Sequence, residues 1–128
     1  MVETIKENNL NFKFIESDQE LADVCAGLGK EPVIGVDLEA DSMHSFKEKI
    51  CLIQIASSRG AFLVDPFIIK AIRPFVDVLE NPSVIKVFHG ADVDVRSLDR
   101  EFGARIENLF DTEIACRFLN VRERGLGA

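Results

Sequence analysis

The stretch Pro32-Val33-Ile34-Gly35-Val36-Asp37-Leu38-Glu39-Ala40-Asp41 constrains this chain more than any other. A short apolar run bounded by Pro and Gly reads as a buried strand. Asp37 and Glu39 stand two residues apart, so both carboxylates leave the same face of that strand. Two unit charges about 4 Å apart repel by roughly 4 kcal/mol at an effective dielectric of 20. A fold that buries such a pair must supply a partner, and a bound divalent metal is the usual one.

The flanking segments suggest how the strand is housed. Phe12, Phe14 and Ile15 mark a first strand over residues 11–16. Ser17-Asp18-Gln19-Glu20 has the spacing of a capping box, and a helix through Leu21, Val24 and Leu28 is expected to end at Gly29. Ile50 to Ala56 reads as a strand beside the acidic one, and Ala61 to Val64 returns from it after the turn Ser57-Ser58-Arg59-Gly60. Asp65-Pro66 is expected to open a helical region running to Glu80, with Pro74 dividing it. Val84 to Phe88 is a further strand, and Ala91 to Phe102 a helix closed by Gly103. Leu109 to Thr112 leads into a last helix capped by Asp111. The expected architecture is α/β: a mixed sheet of about five strands flanked by helices, with the acidic strand central.

At 128 residues the chain suits one domain over residues 1–128, with a core of its own. It has no apolar run near the ~18 residues that span a bilayer and no visible signal peptide, so no membrane partner is expected. Three cysteines, Cys25, Cys51 and Cys116, lack C-x-x-C spacing and point to a reducing, cytoplasmic setting. The net charge of −7 disfavours a simple nucleic-acid binder, though not a metal-dependent one. Basic residues gather at Lys47 and Lys49, at Arg96, Arg100 and Arg105, and at Arg117, Arg122 and Arg124. They form either a solvated surface or a rim that tracks phosphates.

A second acidic position lies on the helix from Ala91, whose apolar stripe is Ala91, Val95, Leu98 and Phe102. Asp94 flanks that stripe in the first turn, just after a strand, where functional side chains of α/β sheets gather. Asp94 or Asp92 could equally serve only the helix dipole. Gly90 permits a tight turn, and His89 before it could be a ligand, a substrate contact or a hydrogen-bonded core residue. His44 is expected to be exposed.

Competing motifs fail. Asp37, Glu39, Asp41 and Glu48 fall at positions 1, 3, 5 and 12 of a calcium loop, but Ser42 occupies the sixth position, where the turn requires Gly. There is no phosphate-binding glycine loop and no nucleophile elbow. An Asp-x-Glu on a strand with a later Asp on a helix can instead hold two Mg2+ or Mn2+ ions about 3.5–4 Å apart for phosphodiester hydrolysis.

These residues resemble the DEDD 3'-5' exonucleases of the ribonuclease D type. The first block is Val36-Asp37-Leu38-Glu39-Ala40-Asp41-Ser42-Met43-His44-Ser45-Phe46, followed by Ile50-Cys51-Leu52-Ile53-Gln54-Ile55. The second is Lys86-Val87-Phe88-His89-Gly90-Ala91-Asp92-Val93-Asp94-Val95, with Leu109-Phe110-Asp111-Thr112-Glu113-Ile114-Ala115 downstream. The acid five residues after His maps the ligand role onto Asp94 and not Asp92. The resemblance implies a ribonuclease H-like fold and two divalent metal ions held by Asp37, Glu39 and Asp94. It implies release of nucleotides one at a time from an RNA 3' end, such as that of a precursor tRNA, with DNA as an open alternative. Ala40, Met43 and His89 would contact the terminal nucleotide, and Asp111 would cap a helix.

The chain departs from the family pattern at its third motif, a Tyr or His four residues before a fourth metal-binding Asp. Residues 112–128 hold no Asp, and the chain holds no Tyr. The expectation is therefore an exonuclease domain lacking its C-terminal helices, with little or no activity alone and an apolar surface open to self-association. The alternative is a non-catalytic nucleic-acid-binding or protein-interaction module that keeps the exonuclease fold.

Overall fold

The computed structural model describes residues 12–41 and 48–127. Among the described residues six strands form one sheet in the order β1-β4-β3-β2-β5-β6. β2 (Val33–Asp41), β3 (Lys49–Ser57) and β4 (Gly60–Val64) make an antiparallel meander. β1 (Phe12–Ile15) joins β4 in parallel, and β5 (Ile85–Phe88) and β6 (Leu109–Asp111) extend the other side of β2 in parallel. The acidic strand is thus interior, as its apolar run requires.

The sheet has one strand more than the five expected. Leu109–Asp111 is a strand because β5 offers it an edge, pairing Lys86 with Leu109 and Phe88 with Asp111. Three residues carry no period of their own, so this element arises from a distant partner. The second correction concerns residues 65–72. The Asp65 side chain accepts the N–H of Phe67 at 2.8 Å, and its carbonyl accepts from Ile68 and Ile69. The N–H groups of Lys70 and Ala71 go instead to Asp18, so this turn ends and the helix α2 runs only over Arg73–Glu80. Pro74 lies in its first turn, where a missing N–H costs nothing, and so opens the helix instead of dividing one.

The other helices follow their sequence signals. In α1 (Asp18–Leu28), Ser17 Oγ accepts the N–H of Glu20 at 3.2 Å. The return half of the box is displaced by one residue: Glu20 accepts from the N–H of Glu16 at 3.1 Å. α3 spans Ala91–Phe102 between two glycines in the left-handed region, Gly90 at φ 69° and Gly103 at φ 64°. Both positions would strain any side chain. α4 (Thr112–Phe118) is capped by Asp111.

Alternate positions of the strands divide the sheet into two faces. Ile34 and Val36 of β2 and Ile53 and Ile55 of β3 join Leu21, Leu28, Phe75, Leu79 and Leu98 of the helices in one core. The intervening positions of β2, Gly35, Asp37 and Glu39, lie on the opposite face. That face borders an open cleft of about 350 Å³ lined by Phe12, Gly35, Asp37, Ala56, Leu63 and His89, among others. Among the described residues no helix is long and apolar enough to cross a membrane.

Candidate metal centre

Asp37 and Glu39 project from the carboxyl half of β2 and are exposed. The pair is therefore not buried as the strand's apolar run suggested: the apolar positions alternate to the core and the acids face the solvent side. The strand spacing puts their Cα atoms roughly 7 Å apart, and Glu has the longer reach. Asp94 enters from the first turn of α3, which is separated by two residues from β5, the parallel neighbour of β2. Loops at the carboxyl ends of adjacent parallel strands converge, and this is how residues 37 and 94 come to share one region.

Their proximity registers in the charge of Asp94. Burial, and then the neighbouring Asp37 and Glu39 with Asp111 beyond them, push its carboxyl up from 3.8 to about 6. Each of these causes disfavours another negative charge at this point. Among the described residues no Lys or Arg forms an ion pair with Asp37, Glu39 or Asp94. Asp92, by contrast, is highly exposed and pairs with Arg96 at 2.7 Å. Asp94 thus lies near Asp37 and Glu39, whereas Asp92 stands on the surface.

The donor set fits a hard divalent cation. It offers carboxylate oxygens that no Lys or Arg pairs with among the described residues, and such oxygens are what Mg2+ and Mn2+ prefer. The carboxylates stand within electrostatic range of each other without converging on one point. Among the described residues no three His, Cys, Asp or Glu side chains are close enough to enclose an ion. Mutual repulsion favours that separation, and a cation would have to draw the groups together.

His89 is half-buried and lies on the cleft beside Asp37. Thr112 donates its hydroxyl hydrogen to the carbonyl of Phe88 at 3.1 Å. Its oxygen therefore accepts from His89 Nδ1–H, at 2.8 Å. This fixes the ring and makes Nε2 the acceptor of the neutral imidazole. His89 is thus both anchored by a hydrogen bond and exposed to the cleft. Ala40 is exposed on β2 next to Glu39, while Met43 lies outside the described residues.

Two supports were not legible in the sequence. Asp111 caps α4 as expected, accepting from Glu113 N–H at 2.9 Å, but it also accepts from Gly90 and Ala91 at the start of α3, at 2.9 and 2.7 Å. Thr112, the first residue of α4, bonds the His89 ring and the carbonyl of Phe88. The available signal for both was Phe88-His89-Gly90 facing Asp111-Thr112, which becomes visible only once β5 and β6 are paired.

A mixed sheet with acids on its central strand, and another on the helix after the neighbouring parallel strand, defines a ribonuclease H-like nuclease domain. Comparison with known proteins narrows that class. Residues 12–128 match the family model of the 3'-5' exonuclease domain, and the chain belongs to this family. It is 38% identical over 120 residues to Protein RRP6-like 3 of Arabidopsis thaliana, covering 91% of this chain and 13% of that protein. The catalytic core of RRP6 from Trypanosoma brucei superposes with a TM-score of 0.87 at 36% identity, covering 92% of this chain and 33% of the other. Escherichia coli RNase D gives a TM-score of 0.79 at 29% identity, covering 84% of this chain and 29% of the other. The chain therefore spans about a third or less of these relatives. Exonucleases of this family depend on divalent metal ions.

Proposed function

We propose that this chain carries the metal-binding part of a 3'-5' exoribonuclease site. The observation that carries the reading is the placement of Asp37 and Glu39 on β2 and of Asp94 in the first turn of the helix that follows β5, the parallel neighbour of β2. The raised pKa of Asp94 is in keeping with that nearness. Asp37, Glu39 and Asp94 would hold two Mg2+ or Mn2+ ions. Bound there, the ions would supply a metal-activated water and charge stabilisation for the leaving oxygen.

The remaining roles belong to the chain itself. Ala40, beside Glu39 on an exposed strand position, gives the terminal nucleotide a small surface to rest on, with Met43 as its proposed neighbour in sequence. His89, held by Thr112, presents a hydrogen-bond acceptor to a ligand in the cleft. RNA is favoured over DNA because the relative from Escherichia coli is described as an exoribonuclease involved in structured RNA processing. A precursor tRNA 3' end is one substrate of that kind.

The test is incubation of the chain with 3'-labelled single-stranded RNA and with the matched DNA, in Mg2+, in Mn2+ and in chelator. The reading expects metal-dependent release of mononucleotides from RNA, slow in this chain, and abolished by Asp37→Ala. Metal-independent cleavage, or cleavage untouched by Asp37→Ala, would contradict it. RNA binding that persists without metal and without Asp37 would favour a non-catalytic binding module.

A further inference from the structure

β2 and β3 stay in register from Gly35 opposite Ala56 to Glu39 opposite Leu52, after which Ala40 faces Ile50. Cys51 is the extra residue of a bulge directly beside Glu39, and its Sγ–H donates to the carbonyl of Glu39 at 3.3 Å. A bulge interrupts the ladder, so a nearby backbone N–H must find a partner elsewhere. Here the N–H of Ile50 donates to both oxygens of Glu101, at 3.1 and 2.8 Å. One residue earlier on the helix, Arg100 donates to the carbonyl of Glu48 at 3.0 Å.

Glu101 follows Asp94 by seven residues on α3, about two turns, so both side chains leave the same side of the helix. One side of α3 thus presents a carboxylate coupled to Asp37 and Glu39. Roughly 10 Å further along it presents a second, which grips the strand next to Glu39. We propose that Glu101 is a positioning residue for the metal centre. By tying the β3 bulge to α3 it sets the separation between Glu39 and Asp94, and it touches neither metal nor substrate. The proposal rests on reading Asp37, Glu39 and Asp94 as a metal site. Supporting residues around such sites commonly govern metal affinity by 10–100-fold.

The experiment measures Mn2+ affinity of the 128-residue chain from the electron paramagnetic resonance signal of free Mn2+, well below the unfolding temperature. The variants are Glu101→Gln, Glu101→Ala, Glu101→Met and Asp37→Ala. Asp18→Ala serves as a stability control: Asp18 makes a similar tie, accepting from the N–H groups of Lys70 and Ala71 at 2.9 and 3.1 Å. Glu101→Ala is expected to weaken Mn2+ binding about tenfold. Glu101→Gln, which keeps an acceptor oxygen, should restore affinity to within about threefold of the unmodified chain. Asp18→Ala should lower the melting temperature and leave affinity unchanged. Should Glu101→Ala fail to fold, Glu101→Met keeps the aliphatic stem and carries the same comparison. Binding that depends on Asp37 but ignores loss of the Glu101 carboxylate, or falls equally in Asp18→Ala, overturns the positioning role alone. Absence of any Asp37-dependent Mn2+ binding overturns the metal-site reading and this proposal with it.

Discussion

Oδ2 of Asp111 accepts the N–H of Ala91 at 2.7 Å, and so a residue on β6 caps the helix that carries Asp94. Oδ1 of the same carboxylate serves Gly90 and Glu113 at 2.9 Å each, and Ile114 at 3.4 Å. One buried carboxylate therefore joins the N-termini of α3 and α4, where the exposed N–H groups and helix dipoles both favour negative charge.

Asp111→Ala removes both caps at once and leaves buried N–H groups without an acceptor. Its expected cost is about 2–4 kcal/mol of folding stability. Asp111→Asn keeps one acceptor oxygen, which in the place of Oδ1 still serves Gly90, Glu113 and Ile114 and loses only the bond from Ala91, so it should cost roughly half as much. Urea unfolding near neutral pH checks both values.

The same carboxylate predicts a pH dependence. Burial alone would raise its pKa, but the N–H groups of Ala91, Gly90, Ile114 and Glu113 outweigh burial and hold it below the ordinary value. A carboxyl whose pKa is lower folded than unfolded stabilises the fold above the unfolded value of about 3.9. That contribution fades as pH falls from about 4 through the folded pKa. The stability gap between the unmodified chain and Asp111→Asn should therefore be level above about pH 5 and narrow below about pH 4. A gap that widens on acidification would contradict the assignment.

Cysteine chemistry should discriminate burial. Burial first, and the nearby Asp77 second, push the Cys25 thiol up to about 12, while Cys51 and Cys116 are partly exposed. The thiolate is the reactive form, so Cys25 should resist a disulfide reagent at about pH 8. Two thiols should titrate in the native chain and the third only on unfolding. Rapid reaction of all three would show that α1 does not seal the core.

Lys86 is fully buried on β5, and its Nζ donates to the carbonyl of Asn81 at 2.6 Å. Burial lowers its pKa, with Glu107 opposing weakly. The carbonyl of Asn81 also accepts from Val84, so losing the amine does not strand it. Lys86→Met should change stability by less than about 1.5 kcal/mol, whereas Lys86→Ala opens a cavity costing about 2–5 kcal/mol. Thermal unfolding of the pair separates packing from charge.

What could be read from the sequence was local. Pro32 directly precedes β2, the paired glycines Gly90 and Gly103 bound α3 at its observed residues, and Ser17 caps α1. Residue type and spacing singled out Asp37 and Glu39 as candidates, while the choice of Asp94 over Asp92 came from the resemblance to the exonuclease motif. What escaped was set by distant pairing: β6 exists because β5 receives it, and the second cap of Asp111 needs Gly90 brought beside it. The grip of Glu101 on Ile50 needs a bulge fixed by register between two strands. The helix expected over residues 65–72 stops after one turn: the carbonyl of Asp65 accepts from Ile68 and Ile69, but the next N–H groups, of Lys70 and Ala71, go to the distant Asp18 carboxylate.

The central claim, that Asp37, Glu39 and Asp94 share one divalent-metal site, is tested most directly by Mn2+ titration monitored by thermal unfolding. In chelator, Asp94→Asn should unfold at the same or a higher temperature than the unmodified chain, because a like charge has been removed from a crowded region. With Mn2+ at 100 times its dissociation constant, the unmodified chain should gain about 2.7 kcal/mol. Asp94→Asn and Asp37→Asn should lose most of that gain. An unmodified chain with no saturable response to Mn2+, or variants that respond as it does, would contradict the claim.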